Sequence, residues 1–556
     1  MRRDSSLRSP VEGFYQEPGK IDGKFDVQIY RASEAATTRE SIDELPAAKL
    51  THAESARSFK GRYRVWPGVL LLFGLLAVAA VLMAYFGTQA RSAMETRRYD
   101  AQLREYKQNQ INGGSTTGSG KGIKPIVDPD GTVNNPAVYP QQTCKQPNYV
   151  SKNNKIYAVA PNGTMVPLGI KGINWFGMET YAVPFGLWTN DQNGTTAFAV
   201  SQFLAVNKIN SVRLPVCIQS IVNNIVPNKN LVNRAQNRAL DLSSYMALLK
   251  SLIKALAYQR ISVLISLHTL TPTDSGGAWF SDTISATTFL KAIDMLTTNL
   301  CGDDYWNIIG LDLKNEPHQS TWGDGGAKDF QVGATTIGNR MLEGCPNWLA
   351  FVEGIVNMNQ PVTIEGTAMT YNDWWGGGLQ QAGAKPVVLS AANKVVYAPH
   401  YYTPAVYPQA YLYGTGGTAG PGGTIVGFVE LSDADLSARV RGTMDSMFGY
   451  LSKTLDAAIV LGEFGGLYAT DRHPQLTTKR CTDFTIREIL KPGYSGGYVW
   501  SLNPESAYQF NPASTAGTFV EGVVEIDWRT ANLPFVQGLA AMDSLPDLQA
   551  WPCFSP

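Results

Sequence analysis

Ile308-Ile309-Gly310-Leu311-Asp312-Leu313 runs directly into Lys314-Asn315-Glu316-Pro317-His318. A short, largely apolar run is cut off by polar residues and a proline. This is the pattern of a buried strand that delivers polar side chains at its C-terminal end. Seven other runs read the same way: Leu168–Trp175, Ile209–Leu214, Ser262–Leu267, Ala350–Glu353, Val395–Pro399, Ala458–Leu461 and Gly497–Trp500. Helical patterns such as Ser243–Gln259 and Ala286–Asn299 lie between many of them. Strands alternating with helices predict a parallel α/β fold. Eight of them over roughly 400 residues suit a (β/α)8 TIM barrel with loop insertions, placed at residues 146–556. A doubly wound sheet competes, but no GxGxxG follows the first strand.

N-terminal to the barrel the composition changes three times. Residues 88–145 read as a stalk and flexible linker, and Asn112–Thr143 is rich in Gly, Ser, Thr, Pro and Asn. Residues 65–87 carry no charge and have Trp66 and Tyr85 near their ends. Length and aromatic placement match a transmembrane helix. The competing cleaved signal peptide would start nearer Met1 and be shorter. Residues 1–64 are charged and lack sustained apolar periodicity, so a disordered cytoplasmic tail is expected there.

Flanking charge leaves the orientation of this helix nearly open. Lys60, Arg62 and Arg64 before it are almost balanced by Arg91, Arg97 and Arg98 after it. The sequons Asn162-Gly163-Thr164 and Asn193-Gly194-Thr195 and all six cysteines lie on its C-terminal side. The expectation is a single-pass type II membrane protein whose barrel lies outside the cell at the plasma membrane. At least one disulfide is expected. Cys301 ends the helical segment before the fourth strand and Cys345 precedes the fifth, which makes them a plausible pair. No CxxC or Cys/His cluster suggests zinc. With 46 acidic and 46 basic residues, the charge favours neither nucleic acid nor an acidic polymer as partner. The 12 Trp, 25 Tyr and 21 Phe suit stacking on sugars.

Active sites of such barrels form at the C-terminal strand ends. Besides Asn315-Glu316-Pro317, those ends carry Arg213-Leu214-Pro215, Leu267-His268, Val352-Glu353-Gly354, His400-Tyr401-Tyr402, Gly462-Glu463-Phe464-Gly465 and Trp500-Ser501. Two glutamates close different strands just after apolar runs. Hydrolysis of a glycosidic bond commonly uses two carboxyl groups, one on each side of the anomeric carbon.

The sequence resembles glycoside hydrolase family 5 from about residue 146 to 545. The resemblance is carried by Gly172-Ile173-Asn174-Trp175-Phe176-Gly177-Met178-Glu179, Asn315–Pro317, Val352–Gly354, His400-x-Tyr402, Gly462–Gly465 and Trp500. Trp374-Trp375-Gly376-Gly377 and Val406-Tyr407-Pro408 look like bacterial endo-β-1,4-glucanases of that family. The resemblance implies Glu316 as acid/base and Glu463 as nucleophile. Asn315 would bond the sugar's 2-hydroxyl, and Arg213 and Tyr402 would orient the nucleophile. His268 and His400 would line the cleft and Trp500 would lie under the cleaved sugar. Trp175 and Trp374 or Trp375 would hold neighbouring sugars. Glu353 reads either as a substrate contact or as a buried carboxylate at the barrel mouth, and His318 as an open case. His473 and His52 have no supporting context. Leu502 stands where such glucanases often carry a second aromatic, and the loop Gly414–Gly423 is unusually Gly-rich. The implied activity is a retaining endo-β-glucanase acting on β-1,4-glucan of a cell wall, without cofactor or metal. Alternatives are a transglycosylase, a hydrolase of mannan or β-1,3-glucan, or a non-catalytic cell-wall binding protein.

Overall fold

The computed structural model describes residues 66–111, 125–190 and 192–555. The expected cytoplasmic tail, 1–64, lies outside the described residues. Trp66–Ile111 is one helix of 46 residues. Its segment Trp66–Ala90 contains an 18-residue window with a mean hydropathy of 2.7 and is long and apolar enough to cross a membrane.

Eight parallel strands close into a barrel: β1 Ile170–Asn174, β2 Ser211–Cys217, β3 Ser262–Thr269, β4 Ile308–Asp312, β5 Leu349–Val352, β6 Val395–Tyr397, β7 Ala458–Gly465 and β8 Tyr494–Val499. Closure runs from β8 to β1, where Gly496 faces Ile170. Each expected strand is present within a few residues of its expected ends. Every residue of these eight strands except the first of β8 is buried, because helices cover the barrel and side chains fill it. Gly310 in β4 allows close strand approach, since a Cβ there would meet Leu349 O at 2.0 Å.

Helices follow seven of the strands: Ala197–Val206, Tyr245–Tyr258, Ala286–Leu300, Phe330–Gly344, Asp433–Met444, Thr477–Ile489 and Leu533–Leu539. Six of them begin at Thr196, Ser244, Ser285, Asp329, Ser432 and Asn532. Each of these side chains accepts a backbone N–H of the first turn. The connection from β5 to β6 departs from the expected repeat. It holds the hairpin Gln360–Ile364 and Thr367–Tyr371 and no α-helix. Pro361, Gly366 and the run Gly376-Gly377-Gly378 make that segment a poor helix former.

The expected linker needs correction. Residues 125–145 are docked on the barrel domain, which therefore starts near residue 125 rather than 146. Ile126 and Tyr139 are buried in the main core, and Arg238 pairs with Asp128 and Asp130. Cys144 is bonded to Cys553, and Lys145 pairs with Phe554. Buried apolar area and a covalent tie outweigh the flexible composition. The expected Cys301–Cys345 disulfide is also present, while Cys217 and Cys481 are free and buried. A three-stranded antiparallel sheet, Asn148–Lys152, Lys155–Val159 and Met165–Leu168, lies against the N-terminal barrel end. There Tyr149 N–H donates to Asn347 O and Ser151 N–H to Asn393 O.

Candidate active site

A buried guanidinium organises the C-terminal mouth. Arg213 sits on β2, wholly enclosed. Its Nε and Nη2 donate to Asp312 Oδ2 at 2.9 and 2.6 Å. Its Nη1 donates to Glu463 Oε1 at 2.5 Å and to Asn174 Oδ1 at 2.8 Å. Its Nη2 also reaches Asn315 Oδ1 at 2.8 Å and Glu353 Oε1 at 3.0 Å. One planar cation thus ties the ends of β1, β2, β4, β5 and β7, a task for which its fork of five N–H donors is suited.

Glu463 lies on β7 opposite His400, because His400–Tyr402 continues β6 and pairs with the second half of β7. Tyr402 OH donates to Glu463 Oε2, so both oxygens of this carboxylate accept a hydrogen bond. Burial raises the Tyr402 phenol far above its ordinary range, which keeps it a donor.

Glu316 has a different environment. It follows β4 with a left-handed backbone, φ 45°, a conformation that non-glycine residues hold only when neighbours enforce it. Its N–H donates to Glu353 Oε2 at 2.8 Å. Its Oε1 lies 2.9 Å from His400 Nδ1. Burial pushes its pKa up to about 8, against the pull of His400 and with the help of the Glu463 charge. One polar atom each of Glu316, His400 and Glu463 falls within a 4.8 Å set.

His268, at the end of β3, is buried and stacks on Trp500 with ring centroids 6.0 Å apart. Burial and the Arg213 and Lys314 charges hold its imidazole neutral. Trp500 also stacks on Phe176, with centroids 5.3 Å apart and planes 8° from parallel. Arg213, His268, Asn315, Glu316, His400, Tyr402, Glu463 and Trp500 therefore meet at one place. Glu353 joins them as a buried carboxyl rather than an exposed substrate contact.

Residues 162–506 match the family model for cellulase, glycosyl hydrolase family 5. The chain belongs to this family. An endoglucanase from Paenibacillus polymyxa is 28% identical over 374 residues, covering 65% of this chain and 80% of that protein. The major extracellular endoglucanase of Xanthomonas campestris pv. campestris is 28% identical over 359 residues, covering 64% and 66%. Among solved structures, an endocellulase from Pyrococcus horikoshii in complex with cellotetraose aligns with a TM-score of 0.58 and 26% identity. That alignment covers 72% of this chain and 99% of the other. This glycosyl hydrolase family 5 chain is accordingly a glycoside hydrolase with its site at the barrel's C-terminal face.

Two expected site residues are enclosed by other parts of the protein. Trp175 is 1% exposed and donates its Nε1–H to Phe185 O at 3.0 Å, so its ring is core. Trp374 is fully buried, edge-on to Tyr401 and Tyr402. It packs behind Tyr402 instead of facing a sugar. Its half-exposed neighbour Trp375 stacks on His318 with centroids 3.6 Å apart, and His318 N–H donates to Glu316 O at 2.7 Å. Asp312 and Asn174 were not singled out from the sequence. A carboxylate inside the apolar run of β4 was the available signal, because a buried charge needs a partner.

Proposed function

We propose that the chain is a membrane-anchored endo-β-1,4-glucanase that cleaves with net retention. Glu463 attacks the anomeric carbon while Glu316 protonates the leaving oxygen. Glu316 then deprotonates the water that releases the sugar. The observation that carries this reading is the opposite treatment of two neighbouring carboxyls. Glu463 accepts hydrogen bonds from the Arg213 guanidinium and the Tyr402 hydroxyl, one on each oxygen. Glu316 keeps its proton to about pH 8. Their closeness, with one oxygen of each inside the 4.8 Å set that includes His400, supports a retaining separation of roughly 5–5.5 Å. Once Glu463 is esterified its charge is gone, and Glu316 loses its proton more readily.

The substrate class is inferred from the relatives, named endoglucanase and endocellulase, one of them in complex with cellotetraose. The apolar helix over Trp66–Ala90, the sequons and the disulfides support a type II anchor with the barrel outside the plasma membrane, facing cell-wall β-glucan. The test is reducing-sugar release by the full-length protein in mild detergent against cellulose, mannan and β-1,3-glucan, with the anomer of the first product read by NMR. Release from β-1,4-glucan as the β-anomer is expected. An inverted first product overturns Glu463 as nucleophile. Protease added to intact cells should digest the barrel, and a protected barrel overturns the orientation.

A further inference from the structure

Five ionisable groups besides Glu353 crowd the floor of the site: Arg213 from β2, Asp312 from β4, Glu316 after β4, His400 after β6 and Glu463 on β7. Lys314 is also buried, but its Nζ is turned to the backbone carbonyls of His268 and Asn315. Glu353 itself is fully buried at the end of β5. Its two oxygens are used differently. Oε2 accepts the N–H of Glu316 at 2.8 Å. Oε1 accepts from Arg213 Nη2 at 3.0 Å and lies 3.1 Å from His400 Nε2. The Asp312 carboxyl is the immediate neighbour of Glu353, since Arg213 Nη2 donates both to Asp312 Oδ2 at 2.6 Å and to Glu353 Oε1 at 3.0 Å. Asp312 Oδ2 is saturated by Arg213 and by the Ser266 hydroxyl, yet its Oδ1 is buried with no partner. A second carboxylate offers that orphan acceptor nothing, whereas a carboxylic acid offers it an O–H.

We propose that Glu353 is a positioning residue held as the neutral carboxylic acid, its proton shared with Asp312. From that state it anchors the backbone of Glu316 and faces His400 without adding negative charge beside either. The proposal rests on Glu316 being the acid/base of the site. Charge arithmetic favours it. Were all four carboxyls ionised, the single guanidinium would face them in an enclosed volume, where unpaired charge is costly. With Glu316 and Glu353 protonated, Arg213 answers Asp312 and Glu463 alone, the two carboxyls that receive its shortest hydrogen bonds. Burial, the Asp312 charge and the contact with Asp312 all push the Glu353 carboxyl well above the ordinary carboxylate range, against the pull of Arg213. The same proton explains how Glu316 keeps its left-handed turn. An uncharged carbonyl-type oxygen accepts its N–H without repelling its side chain 2.9 Å from the shared histidine.

The test compares wild type with Glu353→Gln and Glu353→Ala as full-length protein in mild detergent, following kcat/KM against pH on a soluble β-1,4-glucan. Glutamine copies the neutral acid and still accepts one N–H. Glu353→Gln should keep activity within about tenfold of wild type and leave the alkaline limb in place. Glu353→Ala should lose on the order of 10²-fold, because Glu316 is no longer held. If Glu353 carries a negative charge instead, glutamine removes a repulsion from Glu316, and the alkaline limb moves down by about one pH unit or more. That shift overturns the proposal, as does a Glu353→Gln protein that folds but is as inactive as Glu353→Ala. If Glu353→Ala fails to fold, infrared difference spectra decide. A protonated-carboxyl C=O band at neutral pH that is lost in Glu353→Gln supports the proposal, and its absence from wild type overturns it. Glu316→Gln, run in parallel on an aryl glycoside with an activated leaving group, keeps the two readings apart. Loss of the alkaline limb there confirms Glu316 as the titrating group, and its persistence defeats the acid/base assignment on which the proposal stands.

Discussion

At the N-terminal end of the barrel Lys394 is buried with its Nζ on Asn148 Oδ1 and Tyr149 O, both at 2.7 Å. At the C-terminal end Arg213 is buried against Asp312, Glu353 and Glu463. The first cation is answered by neutral acceptors, and burial lowers its pKa to about 8. Around it Trp551 Nε1 donates to Tyr149 OH, which donates to Trp306 O, and the Cys144–Cys553 disulfide ties the two ends of the domain together. The second cation is surrounded by like charges that repel one another, with orphan polar atoms on Asp312, His268, His400 and Trp500. At the first end Lys394, Tyr149 and Trp551 are hydrogen-bonded to their neighbours and hold the fold. The other leaves protons and acceptors unsettled, which costs stability and supplies reactivity.

That contrast predicts that substitutions at the mouth change turnover, whereas substitutions at the base change stability alone. The largest effect should be at Glu463. Glu463→Gln removes the oxygen that the proposed mechanism uses to attack, and kcat should fall on the order of 10⁴-fold with the melting temperature held or raised. A variant that retains turnover breaks the comparison at once. Arg213→Lys is next. It keeps the charge but cannot reach Asp312, Glu463 and Glu353 together. Loss of about 3 kcal/mol in urea unfolding is expected, with a fall in kcat of about 10²-fold. An unchanged kcat would show that the fork is structural only.

At the base, the pair Cys144→Ser and Cys553→Ser should lower stability by about 3 kcal/mol, measured by thermal unfolding, with kcat/KM unchanged. A fall in kcat at temperatures well below the transition would show that the two ends are coupled. The smallest effect is a pH dependence. Glu316 must be protonated to act as acid in the proposed mechanism, so kcat/KM should drop tenfold per unit above about pH 8. Its folded pKa lies above the ordinary glutamate value. The folded state therefore binds the extra proton, and stability falls as pH rises from the carboxylate range to about 8, then levels. A stability curve that rises across that window would reverse the sign and remove the raised pKa.

The eight strands were legible because each is a short apolar run, a pattern written in consecutive residues, and because polar residues stop each run at the same end. Glu316, Glu463, Arg213, His400 and Tyr402 were legible for the same reason. Side chains carried by neighbouring strand ends of a closed barrel must converge. The apolar helix over Trp66–Ala90 was equally readable, since length and lack of charge are written in consecutive residues. What only the tertiary structure decided are contacts made across long sequence separations. Trp175 and Trp374 carry the same indole whether they face a sugar or the core, and only Phe185, Tyr401 and Tyr402 folding over them makes them core. Residues 125–145 look like linker until Ile126, Tyr139 and Cys144 find partners far along the chain. Glu353 could be read either way until Arg213, Asp312 and the N–H of Glu316 closed around it, because burial of a charge is set by neighbours that no local pattern names.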